Sequence, residues 1–66
     1  MNQELKRLRE EQALSRRELA HSSGVHEITI YRAEHGKSAP RPSTIRKLAN
    51  ALGVLPKEII AIDDNS

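Results

Sequence analysis

Apolar residues recur three and four apart along this chain, and the second, third and fourth of these runs stop at Gly24, Gly36 and Gly53. Spacing of this kind puts apolar side chains on one face of a helix, and nothing alternates long enough to make a strand, so the expected fold class is all-α. Leu5 and Leu8, with Met1, mark one face of a first helix over about residues 2 to 12, leaving Lys6, Arg7, Glu10 and Glu11 toward solvent. Ser15 stands three residues before Glu18, the spacing of a capping box, and predicts a second helix starting there with Leu19 and Ala20 inward. Gly24 supplies the positive φ that ends this helix and turns the chain. Val25, Ile30 and Ala33 carry a third helix over about 26 to 35, stopped by Gly36.

Lys37 to Pro42 contains two prolines and is expected to be an ordered, non-helical loop. A fourth helix, capped by Ser43 or Thr44, has the inner face Ile45, Leu48, Ala49 and Leu52 and ends at Gly53. Pro56 suits the first turn of a short fifth helix bearing Ile59 and Ile60. The reading is one domain over 1–62, with 63–66 a frayed tail.

Sixty-six residues make one domain at most, and a chain of that size buries only about 60% of the surface its unfolded form exposes. There is no cysteine, so neither a disulfide nor a thiolate zinc site can staple it. Helix packing or dimerisation remain as sources of stability. No apolar run is long enough for a membrane span, and the first thirty residues are too charged for a signal peptide. The expectation is a cytoplasmic protein with no membrane partner.

The formal charge of +2 is unremarkable, but its distribution is not. Residues 1–47 hold ten Lys and Arg against six acids, and residues 48–66 hold one against three. A basic surplus in the first two thirds attracts phosphate through counterion release and leaves the acidic end turned away.

Ala20 lets the second and third helices cross closely, Gly24 makes the corner and Ile30 plugs the angle. One helix can then lie on a phosphate backbone while its partner enters a major groove. An ordinary helical hairpin would have the same spacing.

Four segments narrow the choice: Leu14 to Ala20, Gly24-Val25, Thr29 to Lys37, and Leu48 to Val54. Their order and spacing over about residues 4 to 60 resemble the phage-repressor-like, xenobiotic-response-element-type (Cro/cI-like) helix-turn-helix regulators. The resemblance implies a five-helix, lambda-repressor-like DNA-binding domain with its helix-turn-helix at about 16–35. It also implies a sequence-specific regulator of transcription, most readily a repressor, that is not an enzyme and needs no cofactor.

By position in the family, Glu27, Ile28 and Arg32 touch base edges, with His26 and Tyr31 at the borders of that surface. Arg32 suits guanine O6 and N7, Ile28 a thymine methyl and Glu27 the cytosine amino group. Each has a plainer role open to it: Glu27 as a carboxylate favoured at a helix N-terminus, Arg32 as a phosphate ligand, Ile28 as a partly buried residue. Arg16, where relatives commonly carry glutamine, is a phosphate candidate together with Arg17, Lys37, Ser38 and Arg41. Arg9 and Glu34 match positions that form a buried ion pair in relatives. His26 stands in place of a Ser or Thr cap, His35 in place of an asparagine, and Leu55 in place of a polar cap.

His21, His26 and His35 lack the spacing that puts metal ligands on one helical face, so no metal site is expected. No pocket with a positioned nucleophile is in view, which argues against catalysis. The rival function is a protein-interaction module on the same fold, such as an antitoxin or antirepressor partner. Leu55, Ile59, Ile60 and Ile62 exceed what one short helix buries easily, so they are expected to form a homodimer interface and imply an inverted-repeat operator. They could instead close the core of the monomer. With no sensor domain in these residues, control would fall to concentration, proteolysis or a separate regulatory partner.

Overall fold

The computed structural model describes residues 4–37 and 39–60, the Ile60 side chain excepted. It contains five helices: α1 (Glu4–Glu11), α2 (Arg16–Ser23), α3 (Glu27–Glu34), α4 (Pro42–Leu52) and α5 (Pro56–Ile60). No strand occurs among the described residues. Met1, Ser38 and Ile62, together with the expected 63–66 tail, lie outside them.

All five helices, with Val25 from the turn between α2 and α3, contribute to a single core made of Leu5, Leu8, Leu19, Val25, Ile30, Ala33, Leu48, Ala49, Leu52 and Ile59. Helix α2 packs against both α3 and α4, α1 against α3 and α5, and α5 against α4. Leu19, Ile30 and Leu48 have no exposed surface at all and stand at the centre of these crossings. Burying side chains of this size contributes about 1.5–3 kcal/mol each before the entropy of ordering them is counted.

The capping box at α2 is complete. Ser15 Oγ accepts from the Glu18 N–H at 3.0 Å, and the Ser15 N–H donates to Glu18 Oε1 at 2.8 Å. At the other end Gly24 has φ +76° and donates its N–H to the Ala20 carbonyl at 2.9 Å. A Cβ placed on Gly24 would meet nothing within 4 Å, so the requirement for glycine there is conformational and not steric.

Helix α1 ends without a glycine. Ala13 takes φ +57°, while Leu14 N–H bonds to the Arg9 carbonyl at 3.1 Å and Ala13 N–H to that of Glu10 at 3.0 Å. The same pair of closing bonds recurs after α4, where the left-handed position is held by Gly53. Gln12 adds a tie across the fold, its side-chain amide donating to the Leu52 carbonyl at 2.6 Å.

Two expectations are corrected here. Helix α4 is not capped by Ser43 or Thr44: Arg41 is its N-cap, with no side-chain cap bond, and Pro42 is its first residue. Proline is tolerated there because the first N–H of a helix has no intrahelical partner to lose and its fixed φ suits the first turn. Ile59 is not available to a dimer interface, because it is only 2% exposed and belongs to the monomer core, where α5 lies on α1 and α4. Leu55, by contrast, is 56% exposed.

Candidate nucleic-acid interface

Helix α3 is divided lengthwise. Ile30, Ala33 and Glu34 are buried against the rest of the domain, while His26, Glu27, Ile28 and Arg32 are exposed. The division follows from the 3.6-residue repeat, which carries Ile28 and Arg32, four apart, onto one side of the helix. Ile28 is half exposed, and with Leu55 it is one of two large apolar side chains left so among the described residues. His26 is the N-cap in extended conformation but makes no side-chain cap bond, so the first N–H groups of α3 have no side-chain partner from that residue.

Helix α3 is fixed to α1 by an ion pair. Arg9 Nε and Nη2 donate to the two Glu34 carboxylate oxygens at 2.6 and 3.1 Å, and Arg9 Nη1 donates to the Leu14 carbonyl at 2.8 Å. The Glu34 side chain has no exposed surface and that of Arg9 has 9%. The hydrogen bonds to Glu34 are the main cause that raises the Arg9 pKa above the ordinary arginine value, against the opposing effect of burial. On the outer face of α1, Arg7 is occupied by Glu4 and Glu11.

An open groove of about 430 Å³ runs between α1, the start of α2 and the start of α3, lined by Lys6, Arg9, Arg16 and Arg17 with Glu10, Ser15 and Glu27. Its four cations outnumber the carboxylates of Glu10 and Glu27, and with Glu34 offsetting Arg9 from beneath a modest positive excess remains. Arg17 is exposed there, and so are Lys37, after α3, and Arg41, at the start of α4. The groove thus unites Arg16 and Arg17 with Glu27, while Lys37 and Arg41 belong to the segment between α3 and α4 and do not line it.

Two candidates are less free than their positions in the sequence imply. The Arg16 guanidinium is 3.5 Å from Glu34 Oε1 and lies over the Tyr31 ring, 5.2 Å from its centroid. Tyr31 is half-buried and its ring stacks on that of His35, with centroids 4.1 Å apart and planes at 29°. His35 Nδ1 is in turn 2.9 Å from the Tyr31 carbonyl. The stack was missed in the sequence, although the separation of four between Tyr31 and His35 is the signal that could have found it. No cluster of potential metal ligands occurs among the described residues.

A family model described as helix-turn-helix matches residues 5–59. The chain belongs to the Cro/cI-type helix-turn-helix family. That family consists of transcription regulators and is non-enzymatic. Among curated relatives, the HTH-type transcriptional repressor RghR of Bacillus subtilis (strain 168) is 47% identical over 53 residues, covering 79% of this chain and 39% of the relative. The uncharacterized HTH-type transcriptional regulator RghRB of the same organism is 40% identical over 60 residues, covering 89% of this chain and 43% of the relative. The chain therefore spans about two fifths of the length of the curated relatives it matches. No solved structure gives a significant match. The compact five-helix arrangement with α2 and α3 packed at the Gly24 corner is consistent with the lambda-repressor-like fold of the family.

Proposed function

We propose that this domain binds double-stranded DNA sequence-specifically and represses transcription, with α3 in the major groove. The observation that carries the reading is Ile28, a half-exposed isoleucine between exposed Glu27 and Arg32 on a helix whose opposite side is fully anchored. An apolar side chain left in water on a rigid surface suits a thymine methyl, and flanking groups that donate and accept supply hydrogen bonds to base edges. His26 borders that surface. Arg17, Lys37 and Arg41, with Arg16 at the groove, and Ser38 beside them in sequence, provide phosphate contacts that orient the helix without reading sequence. Repression is supported by the similarity to RghR, a transcriptional repressor.

The exposed Leu55 marks a surface at which two copies pair, placing two α3 helices one turn of DNA apart on an inverted repeat. The work of such a regulator is done in the cytoplasm; among the described residues no helix is long and apolar enough to cross a membrane.

The test is sequence selection from a random duplex pool with purified protein at several salt concentrations. The expected result is enrichment of an inverted repeat, with affinity falling steeply as salt rises. Absence of enrichment, with weak binding even at low salt, contradicts the reading and favours a protein-interaction module instead.

A further inference from the structure

We propose that Tyr31 is a positioning residue, an aromatic support on α3 that holds the Arg16 guanidinium at the start of α2 in place for a DNA phosphate. The inference rests on the DNA-binding function proposed above and adds to it a residue that acts on the backbone contact and reads no base.

Arg16 is the first residue of α2, with a long side chain that is 37% exposed. Left to itself such a side chain samples many rotamers, and a phosphate contact would have to select one of them. Two groups restrain it. Glu34 is one restraint: its Oε1 accepts from Arg9 Nη2 at 3.1 Å and stands 3.5 Å from Arg16 Nη1, a long contact at the limit of hydrogen bonding. The Tyr31 ring is the other: its centroid is 5.2 Å from the guanidinium carbon, inside the range of about 6 Å over which a ring attracts a cation.

The support is itself fixed. Tyr31 stacks on His35 at 4.1 Å, and His35 is pinned through Nδ1 to the Tyr31 carbonyl at 2.9 Å. A train of contacts therefore runs from the end of α3, through His35 and Tyr31, to the first residue of α2. The geometry also leaves Arg16 able to work. A guanidinium stacks through its flat face and donates through its edge, so the ring and a phosphate can be engaged together. Tyr31, with its ring occupied on behalf of Arg16, is assigned to support and not to base reading.

The experiment compares wild type with Tyr31→Phe, Tyr31→Leu, Arg16→Ala and the Tyr31→Leu/Arg16→Ala double variant, each shown to be folded by circular dichroism. Affinity for one selected duplex is measured across salt, and base preference by selection. Tyr31→Phe keeps the ring and is expected to stay within about twofold of wild type. Tyr31→Leu is expected to lose roughly three- to tenfold at low salt and to reduce the salt slope by about one, as Arg16→Ala does, because one phosphate contact is lost. Base preference stays unchanged, and the double variant binds no more weakly than Arg16→Ala alone.

Losses that add in the double variant, an altered base preference with the slope intact, or an equal loss in Tyr31→Phe overturn the proposal while leaving DNA binding in place. Wild type that shows no salt-dependent binding overturns the DNA-binding function itself, and the proposal with it. If Tyr31→Leu does not fold, the deciding measurement is the NMR spectrum of wild type. Arg16 side-chain protons shifted upfield by the ring support the proposal, and protons at ordinary shifts overturn it.

Discussion

Arg9 and Glu34 stand 25 positions apart in the chain and meet in its interior, the guanidinium donating twice to a carboxylate with no exposed surface. The pair joins α1 to the end of α3, so the orientation of the proposed reading helix depends on a polar contact as well as on Ile30 and Ala33. Because the Arg9 pKa is raised in the folded state, its contribution is complete at every pH below the ordinary arginine value and is lost only as pH rises through the shifted one. The link is therefore intact, on the arginine side, throughout the range in which DNA binding is measured.

Glu34→Ala leaves Arg9 inside the fold with only the Leu14 carbonyl, and is expected to cost about 3–5 kcal/mol, which for a domain this small approaches its whole stability. Replacing both partners together, Arg9→Met with Glu34→Leu, removes the unpaired charge and is expected to cost far less. Urea unfolding of the three proteins checks this, and a double variant as unstable as Glu34→Ala would show that the polar contact itself is required.

His26→Ser is expected to stabilise the domain by about 0.5–1 kcal/mol, because a hydroxyl at the N-cap can accept from a first-turn N–H of α3, which the imidazole does not. Thermal melting at neutral pH reads the gain directly. A melting temperature that falls would mean that His26 contributes to the fold by some contact other than capping.

Ala13→Gly is likewise expected to stabilise, by about 0.5–1 kcal/mol. Ala13 occupies a left-handed position, φ +57°, that Gly53 holds in the equivalent turn after α4, with the same two closing hydrogen bonds. The greater freedom glycine gives the unfolded chain limits the gain. Unfolding in urea tests it, and a loss of stability would show that the alanine methyl has a packing role.

The helices and most of the core were legible in the sequence because they depend on local spacing. Leu5 with Leu8, and Leu48 with Leu52, declare a face within one or two turns, and Ser15 with Glu18 declare a helix start. The end of α1 was not legible in the same way, since Ala13 carries no sign that it will adopt positive φ. Ser43 and Thr44 attracted the cap of α4 by residue type, yet Pro42 had already begun the helix at the one position where its missing N–H is harmless. Ile59 illustrates a different limit. An apolar residue in a short terminal helix suits a monomer core as well as a dimer, and only the packing of α5 on α1 and α4 decides between them. For the site, the pattern located the exposed face of α3 but not the Arg16–Tyr31–His35 stack, which depends on how α2 and α3 are placed in space.

The central claim is that α3 reads bases, and repeating the duplex selection with Arg32→Ala tests it most directly. A shortened exposed side chain that had met a guanine edge is expected to relax the preference at one base pair in each half-site, at a cost of about 1–3 kcal/mol there, with the rest of the consensus unchanged. A consensus identical to wild type at every position, with binding weakened uniformly, would place Arg32 on the phosphate backbone and contradict its assignment as a reader.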